Sequence, residues 1–409
     1  MRAGRLKARS NLLLVMLLVF PLLAGCWDRQ EIEERAVVLG IGVDVADPAE
    51  ERKETESSHE RGALTAEETG LLRLTVQIAV PGRIPLGPGE GGGGGGGQRT
   101  VWVVDAVGHT IGDAINTLQQ RVSPPLFFGH LRIIVISEAL ARKGIKNLND
   151  YFRRNPEVRR MNWMFVSQGS AAGIMRASPQ LERVPTLYLM TTMDQSVKMG
   201  RFPNDFLGIF WSAVSSKGKE GYLPYVELMK EQNVQISGLA YFRGDRMVGS
   251  TNPIQIPVYM GIMGISMAGG QTFVRIPGTE ELFMFQGRSR KSVFKVRIEN
   301  GKPVIRVTVA LEGNLISKFN ETLQLSSEVV RQIEAQLSQQ SKEASQNLIA
   351  LTQEKRADIF GFGEQVRAKE PDYWNTHIRT KDAWQKQYQE LKVEMDVRVH
   401  VRRVGMKAT

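Results

Sequence analysis

Cys26 is the only cysteine among 409 residues, and it lies just past an apolar run, Leu12 to Leu23, broken only by Pro21. With one thiol the chain can form no internal disulfide, so whatever follows must be held together by an ordinary apolar core. No later uninterrupted apolar stretch of roughly 18 residues occurs, so beyond Cys26 the sequence reads as a water-soluble body. The length suggests two or three domains.

Arg2, Arg5, Lys7 and Arg9 precede the apolar run with no acidic residue among them. The run itself is too short to span a bilayer comfortably, which is the layout of a secretory signal. Leu23-Ala24-Gly25-Cys26 then offers small residues to a signal peptidase and a thiol that can be acylated, and it resembles a bacterial lipobox. The expected product lacks residues 1–25 and carries lipid on Cys26 as an N-palmitoyl, S-diacylglycerol cysteine on the outer face of the membrane. Each buried methylene contributes about 0.8 kcal/mol, so two or three acyl chains hold a protein stably without a further anchor. Removing the four basic signal residues from the formal charge of +10 leaves +6. Such a mild excess suits a surface near anionic lipid. The basic residues are interspersed with acids, which together with a secreted address argues against a nucleic-acid partner.

Past Cys26, Ala36 to Asp44 reads as a first strand, with Gly40 and Gly42 where another backbone can approach closely. Leu72 to Val80 alternates as a half-buried strand that pairs with it, across an exposed charged loop at 47–68. A second exposed loop, 81–99, carries Gly91 to Gly97 and lacks the Lys-Ser or Lys-Thr of a phosphate loop. Val101 to Val104 predicts a strand, Thr110 to Val122 an amphipathic helix, and Leu131 to Ile136 a continuous apolar strand. Glu138 to Lys143 predicts a helix stopped by Gly144, and Leu148 to Arg154 another before the strand Trp163 to Val166. Ser212 to Lys230 reads as a polar connector, so the first domain spans 27–215 as an α/β unit. A C-terminal α+β domain spans 230–409, with 230–290 as an optional separate middle domain. In it, Val234 to Phe242 begins a strand, Asn300-Gly301 turns a hairpin between Phe294–Ile298 and Val304–Val309, and Ser327 to Arg356 forms a long amphipathic helix. Val393 to Val401 alternates with charged residues as a strand with one wet face. The fold class is thus α/β to α+β and multi-domain, with mixed sheets packed by helices and a long amphipathic helix near the C-terminus.

Catalytic chemistry is not apparent. No Gly-x-Ser-x-Gly nucleophile elbow occurs. His59, His109, His130, His377 and His400 are scattered without metal-binding spacing. Glu33-Glu34 and Glu280-Glu281 are adjacent carboxylates of the kind that mark solvated surface. The glycines of Gly261 to Gly270 do not match a dinucleotide fingerprint and read as a close-packed turn. No cofactor and no metal are expected.

Gly25-Cys26-Trp27-Asp28-Arg29-Gln30-Glu31-Ile32 followed by Gly40-Ile41-Gly42-Val43-Asp44 resembles the mature start of the Ger(x)C family of spore germination lipoproteins. Phe128-Gly129-His130-Leu131 followed by Arg154-Asn155-Pro156-Glu157-Val158-Arg159 is similar to that family's mid-chain segment. Ala357-Asp358-Ile359-Phe360-Gly361-Phe362-Gly363, with Trp374 and Trp384 downstream, resembles its C-terminal signature. On the residues alone, Gly361 and Gly363 end the long helix and turn the chain while Phe360 and Phe362 pack back against it. The loops at 47–68 and 81–99 depart from the family pattern and read as insertions.

The resemblance implies a non-catalytic subunit of a germinant receptor, partnered by integral membrane subunits and held to membrane lipid through Cys26. It implies no particular ligand-binding residue. The alternative is a lipid-anchored extracytoplasmic solute-binding protein of a transporter, which calls for two similar lobes and a hinged cleft; no internal repeat supports it. An envelope hydrolase would need a nucleophile or metal constellation that the sequence does not offer.

Overall fold

The computed structural model describes residues 31–53, 59–60, 65, 70–80, 100–177, 184–230, 233–266, 269–276, 278–318 and 325–403. Cys26, the segment 1–25, the polyglycine loop and most of 54–68 lie outside them.

Isoleucine and valine fill both sides of the strand Ile133–Ser137, and both of its faces are covered. Ile133 and Val135 point into one apolar cluster, Ile134 and Ile136 into another. That is what a continuous apolar run means in a sheet with helices on both sides. The strand is β5 of a large mixed sheet. Its other members are β1 (Ala36–Val45), β2 (Leu72–Ala79), β3 (Val101–Gly108), β4 (Leu126–Phe127), β6 (Trp163–Ser167), β7 (Tyr222–Leu228), β8 (Val234–Arg243) and β9 (Arg246–Ser250). Their order is β3-β2-β1-β5-β6-β7-β8-β9, with β4 beside the start of β1. The central strands β1, β5, β6 and β7 run parallel, and the flanking pairs are antiparallel.

Helices α1 (Ile111–Gln119), α2 (Glu138–Lys143), α3 (Lys146–Arg154), α4 (Ala171–Arg176), α5 (Pro185–Lys198) and α6 (Leu207–Ser215) fill the crossovers. Their starts are legible in chemistry: the hydroxyls of Thr110, Ser137 and Ser170 accept from the backbone N–H groups of Asp113, Leu140 and Gly173. Gly42 lets α4 close on β1, since a Cβ there would stand 2.8 Å from Met175 Cγ and 3.2 Å from the Ala171 backbone. At the end of the same strand Asp44 is buried and its two oxygens accept from Ala171 N and Ala172 N, both at 2.8 Å.

After β9 the chain forms α7 (Gln255–Ile262) and enters a second sheet. Its order is β10 (Gln271–Arg275), β11 (Leu282–Glu299), β12 (Lys302–Lys318), β13 (Lys392–Arg403). Asn300 and Gly301 take φ of 50° and 73°, the left-handed pair that a two-residue hairpin between β11 and β12 requires. β12 returns in parallel to β13 through α8 (Ser327–Glu354), α9 (Phe362–Lys369) and α10 (Lys381–Gln389).

The apolar stripe of α8, with Ile333, Leu337, Leu348 and Ile349 buried, packs on Ile305, Val307, Val397 and Val399. This helix also covers the free edge of β13: Val399 N donates to Ser338 Oγ at 3.0 Å and Val401 N to Glu334 Oε1 at 2.8 Å. Edge groups satisfied in this way are closed to pairing with another strand. On the opposite face of the sheet Glu394 accepts from Arg297 and Arg306. One apolar cluster runs from Ile133 and Phe165 through Tyr222 and Tyr259 of α7 to Ile305 and Leu348. The two sheets therefore share a core.

Several local expectations are corrected. The connector expected at 212–230 contains the buried strand β7, whose Pro224 and Glu227 mask its pattern. The helix expected to reach Val122 stops at Gln119, and the strand expected over 101–104 runs on to Gly108. Pro48–Lys53, inside the expected exposed loop, is a short 3-10 helix whose Glu50 pairs with Arg73 of β2. Beyond residue 230, β8 and β9 continue the hydrogen bonding of the large sheet.

Candidate functional site

Helix α8 ends at Glu354, and the chain then makes a tight loop around one carboxylate. Asp358 is 1% exposed. Its Oδ1 accepts from Gly361 N at 2.9 Å and Phe362 N at 3.1 Å, and its Oδ2 from Gly363 N at 2.8 Å and Trp384 Nε1 at 2.9 Å. Gly361 has φ of 73°, which lets successive N–H groups converge on the side chain. Burial pushes the Asp358 pKa up to about 6, against the pull of these four donors.

The backbone of the same residue reaches the other sheet, where Glu220 N donates to Asp358 O at 2.8 Å. Glu220 lies just before β7 and is 2% exposed. Its carboxylate accepts from Gln385 Nε2 at 2.6 Å and Gly244 N at 2.8 Å and pairs with Lys381 Nζ at 3.0 Å. Burial raises its pKa, and Lys381 is the largest opposing influence. Glu364 completes the seam by accepting from Ser216 Oγ and from Gly218 N, the latter at 2.7 Å.

Aromatic rings fill the space around these carboxylates. Phe360 and Phe362 stack with centroids 5.2 Å apart; Phe360 lies 5.7 Å from Tyr259, which lies 5.0 Å from Tyr222 of β7. On the other side Phe362 meets Phe294 of β11 at 5.8 Å, and Trp384 meets Trp374 at 5.7 Å. Asp358 and Glu220 are thus held by protein donors and shielded from solvent. The arrangement fastens one sheet to the other and ties α10 and the loop after α8 to the start of β7.

Cys26 lies outside the described residues. The rings of His59 and His109 approach to 5.2 Å, with His59 Nδ1 3.9 Å from Asp113. His130 packs on Phe127, His377 stacks on Tyr373, and His400 Nδ1 is 3.0 Å from Glu334. Among the described residues no group of three His, Cys, Asp or Glu side chains is placed to hold a metal. Glu34 is exposed, and Glu280 pairs with Arg275 at the surface. The two halves of the mid-chain segment meet, since Phe128 N donates to Glu157 Oε2 at 2.8 Å. The Ala357-to-Gly363 segment is visible in sequence; its partners Gly218 and Glu220, and the Lys381 that pairs with Glu220, are not, because nothing in their local pattern marks them.

The fold and this seam define a two-sheet mixed α and β protein whose sheets are locked by buried carboxylates, with no described helix long and apolar enough to cross a membrane. Residues 28–228 match the family described as spore germination protein N-terminal domain, and residues 237–405 the family described as spore germination B3/GerAC like, C-terminal. The chain belongs to this family of GerAC-type spore germination proteins. It is similar to the putative spore germination protein YfkR of Bacillus subtilis (strain 168), with 26% identity over 94% of this chain and 92% of the relative. It is also similar to spore germination protein KC of the same organism, with 24% identity over 97% and 96%. The crystal structure of the GerBC protein superposes with a TM-score of 0.55 at 19% identity, covering 81% of this chain and 94% of that one, and so shares the fold.

Proposed function

We propose that this chain is the membrane-anchored lipoprotein subunit of a spore germinant receptor, acting without catalysis through integral membrane subunits during nutrient-triggered germination. The match of both halves to spore germination families carries the reading. Residues 1–25 act as the signal, and Cys26 carries the N-palmitoyl and S-diacylglycerol groups that hold the protein on the outer face of the spore inner membrane. The apolar run, the basic start and the placement of the sole cysteine support that anchor. A division into units 27–215 and 230–409 belongs to the same proposal. It is supported by the two family matches, which meet between residues 228 and 237, and it must accommodate β8 and β9 in the large sheet.

Affinity capture from detergent-solubilised dormant spores tests this, using a C-terminal tag on the native chain and on Cys26→Ala. Two polytopic partners should co-purify with the native protein, with lower recovery for Cys26→Ala. Transporter permease components in their place would overturn the receptor reading and favour a solute-binding protein.

A further inference from the structure

Four exposed apolar side chains gather along one rim of the large sheet. Ile32 is 47% exposed, Trp102 46%, Met161 65% and Ile209 40%. Hydrogen bonding fixes their common level. Ile32 precedes β1, and Trp102 stands in the row Val38, Ile78, Trp102 near the start of that strand. Arg132 N donates to Leu39 O, and Trp163 N to Arg132 O, so Met161 lies at the entry to β6. Leu207 N donates to Asn162 O and Gly208 N to Arg160 O, which brings Ile209 to the same place.

Basic side chains interleave with these residues. Arg132, Arg159 and Arg160 are exposed, and the Arg35 guanidinium lies 4.7 Å from the centre of the Phe127 ring. Among the described side chains the exposed carboxylates on this rim are Glu31 and Glu34, while Glu157 is engaged by Phe128 N. Cys26 is five residues before Glu31, and an extended chain of that length reaches at most about 18 Å. A lipid on Cys26 therefore holds this rim, rather than the opposite one at Gln168 to Ser170, close to the headgroups.

We propose that this rim lies against the bilayer and makes a second, non-covalent contact with anionic phospholipid through Arg132, Arg159 and Arg160, with Met161 and Ile209 entering the interface. The proposal rests on the lipid anchor at Cys26. Its consequence is orientation: a single flexible tether permits any tilt, whereas a tether plus a basic and apolar rim fixes which surface faces the membrane partners.

The test uses the full lipidated protein in nanodiscs of phosphatidylglycerol with phosphatidylcholine, or of phosphatidylcholine alone. Because lipid occupies Cys26, Met161→Cys supplies one labelling site for an environment-sensitive fluorophore, and Gln168→Cys supplies the control on the opposite rim. Emission should rise and shift to the blue for Met161→Cys on anionic discs and stay unchanged for Gln168→Cys. Replacing Arg132, Arg159 and Arg160 together by Glu should cut that gain roughly fivefold or more, with an unchanged circular dichroism spectrum. A lipidated protein whose Met161 label does not respond, or whose Gln168 label responds equally, would overturn the rim contact alone. An equal response on neutral discs would overturn the role of anionic lipid. Intact mass without the lipid increment would overturn the anchor and this proposal with it.

Discussion

Gly218 and Gly363 meet with their backbones in contact, from opposite sides of the seam between the two sheets. A Cβ on Gly363 would lie 2.7 Å from Gly218 Cα and 2.4 Å from Trp384 Nε1, and one on Gly218 would lie 2.4 Å from the Gly363 carbonyl carbon. No side-chain rotation relieves an overlap with backbone. Gly363→Ala should therefore destabilise the protein by roughly 2–4 kcal/mol, comparable to a severe core overpacking. Thermal unfolding followed by circular dichroism checks this, and an unchanged midpoint would show that the seam is looser than the contact implies.

Asp358 makes the same seam sensitive to pH. Burial raises its folded pKa to about 6, above the ordinary carboxylate value of 3.8, so the folded state binds a proton more tightly than the unfolded one. Its contribution to stability therefore falls as pH rises from about 4 to about 6 and is level above that. Asp358→Asn should abolish this slope. Asn offers one acceptor oxygen to four donors, so the variant should also lose about 1–3 kcal/mol at neutral pH. Urea unfolding of both proteins across that range separates the two effects.

Asp205 predicts a gain from the same kind of substitution. It is 1% exposed, its Oδ2 has no hydrogen-bond partner among the described residues, and burial holds its pKa well above the carboxylate range, with Lys219 opposing. Ionising a carboxyl so placed, or holding its proton against a neutral solution, costs stability there. Asp205→Asn should stabilise the protein by about 1–2 kcal/mol there, with the gain shrinking as the solution is acidified toward the ordinary carboxylate range. A lower melting temperature for the variant at pH 7 would show that the ionised form is held by a contact worth more than its desolvation.

Strand β5, the Asn300-Gly301 hairpin and helix α8 are legible in the sequence because each is set by local pattern: a continuous apolar run, a turn pair tolerant of positive φ, and a stripe at helical spacing. β7 is not, because Tyr222-Leu223-Pro224-Tyr225-Val226 is buried through its whole length and lacks alternation, while glycines on its approach suggest a loop. The seam is half legible. Gly361 announces a turn, yet α8 has already ended at Glu354 and Gly363 stands inside α9 instead of ending the long helix; the need for glycine at 363 comes from Gly218, far earlier in the chain, and no local rule reports such a contact.

Lys381 and Glu220 give the last prediction. The Lys381 side chain is 21% exposed and that of Glu220 2%; the ammonium stands 3.0 Å from the carboxylate and also donates to Val214 O at 2.9 Å. Lys381→Met keeps much of the aliphatic stem but leaves Glu220 buried without its cation, which should cost roughly 3–5 kcal/mol at neutral pH. Without Lys381 the Glu220 pKa rises further above its ordinary 4.5, so acidification should recover part of the loss as the carboxyl takes up a proton. Adding Glu220→Gln to Lys381→Met should restore stability toward the native value, because a neutral amide no longer needs the cation. If the double variant is as unstable as the single one, the lysine acts through its bond to Val214 O rather than through the charge of Glu220, and the double-mutant cycle reads that difference directly.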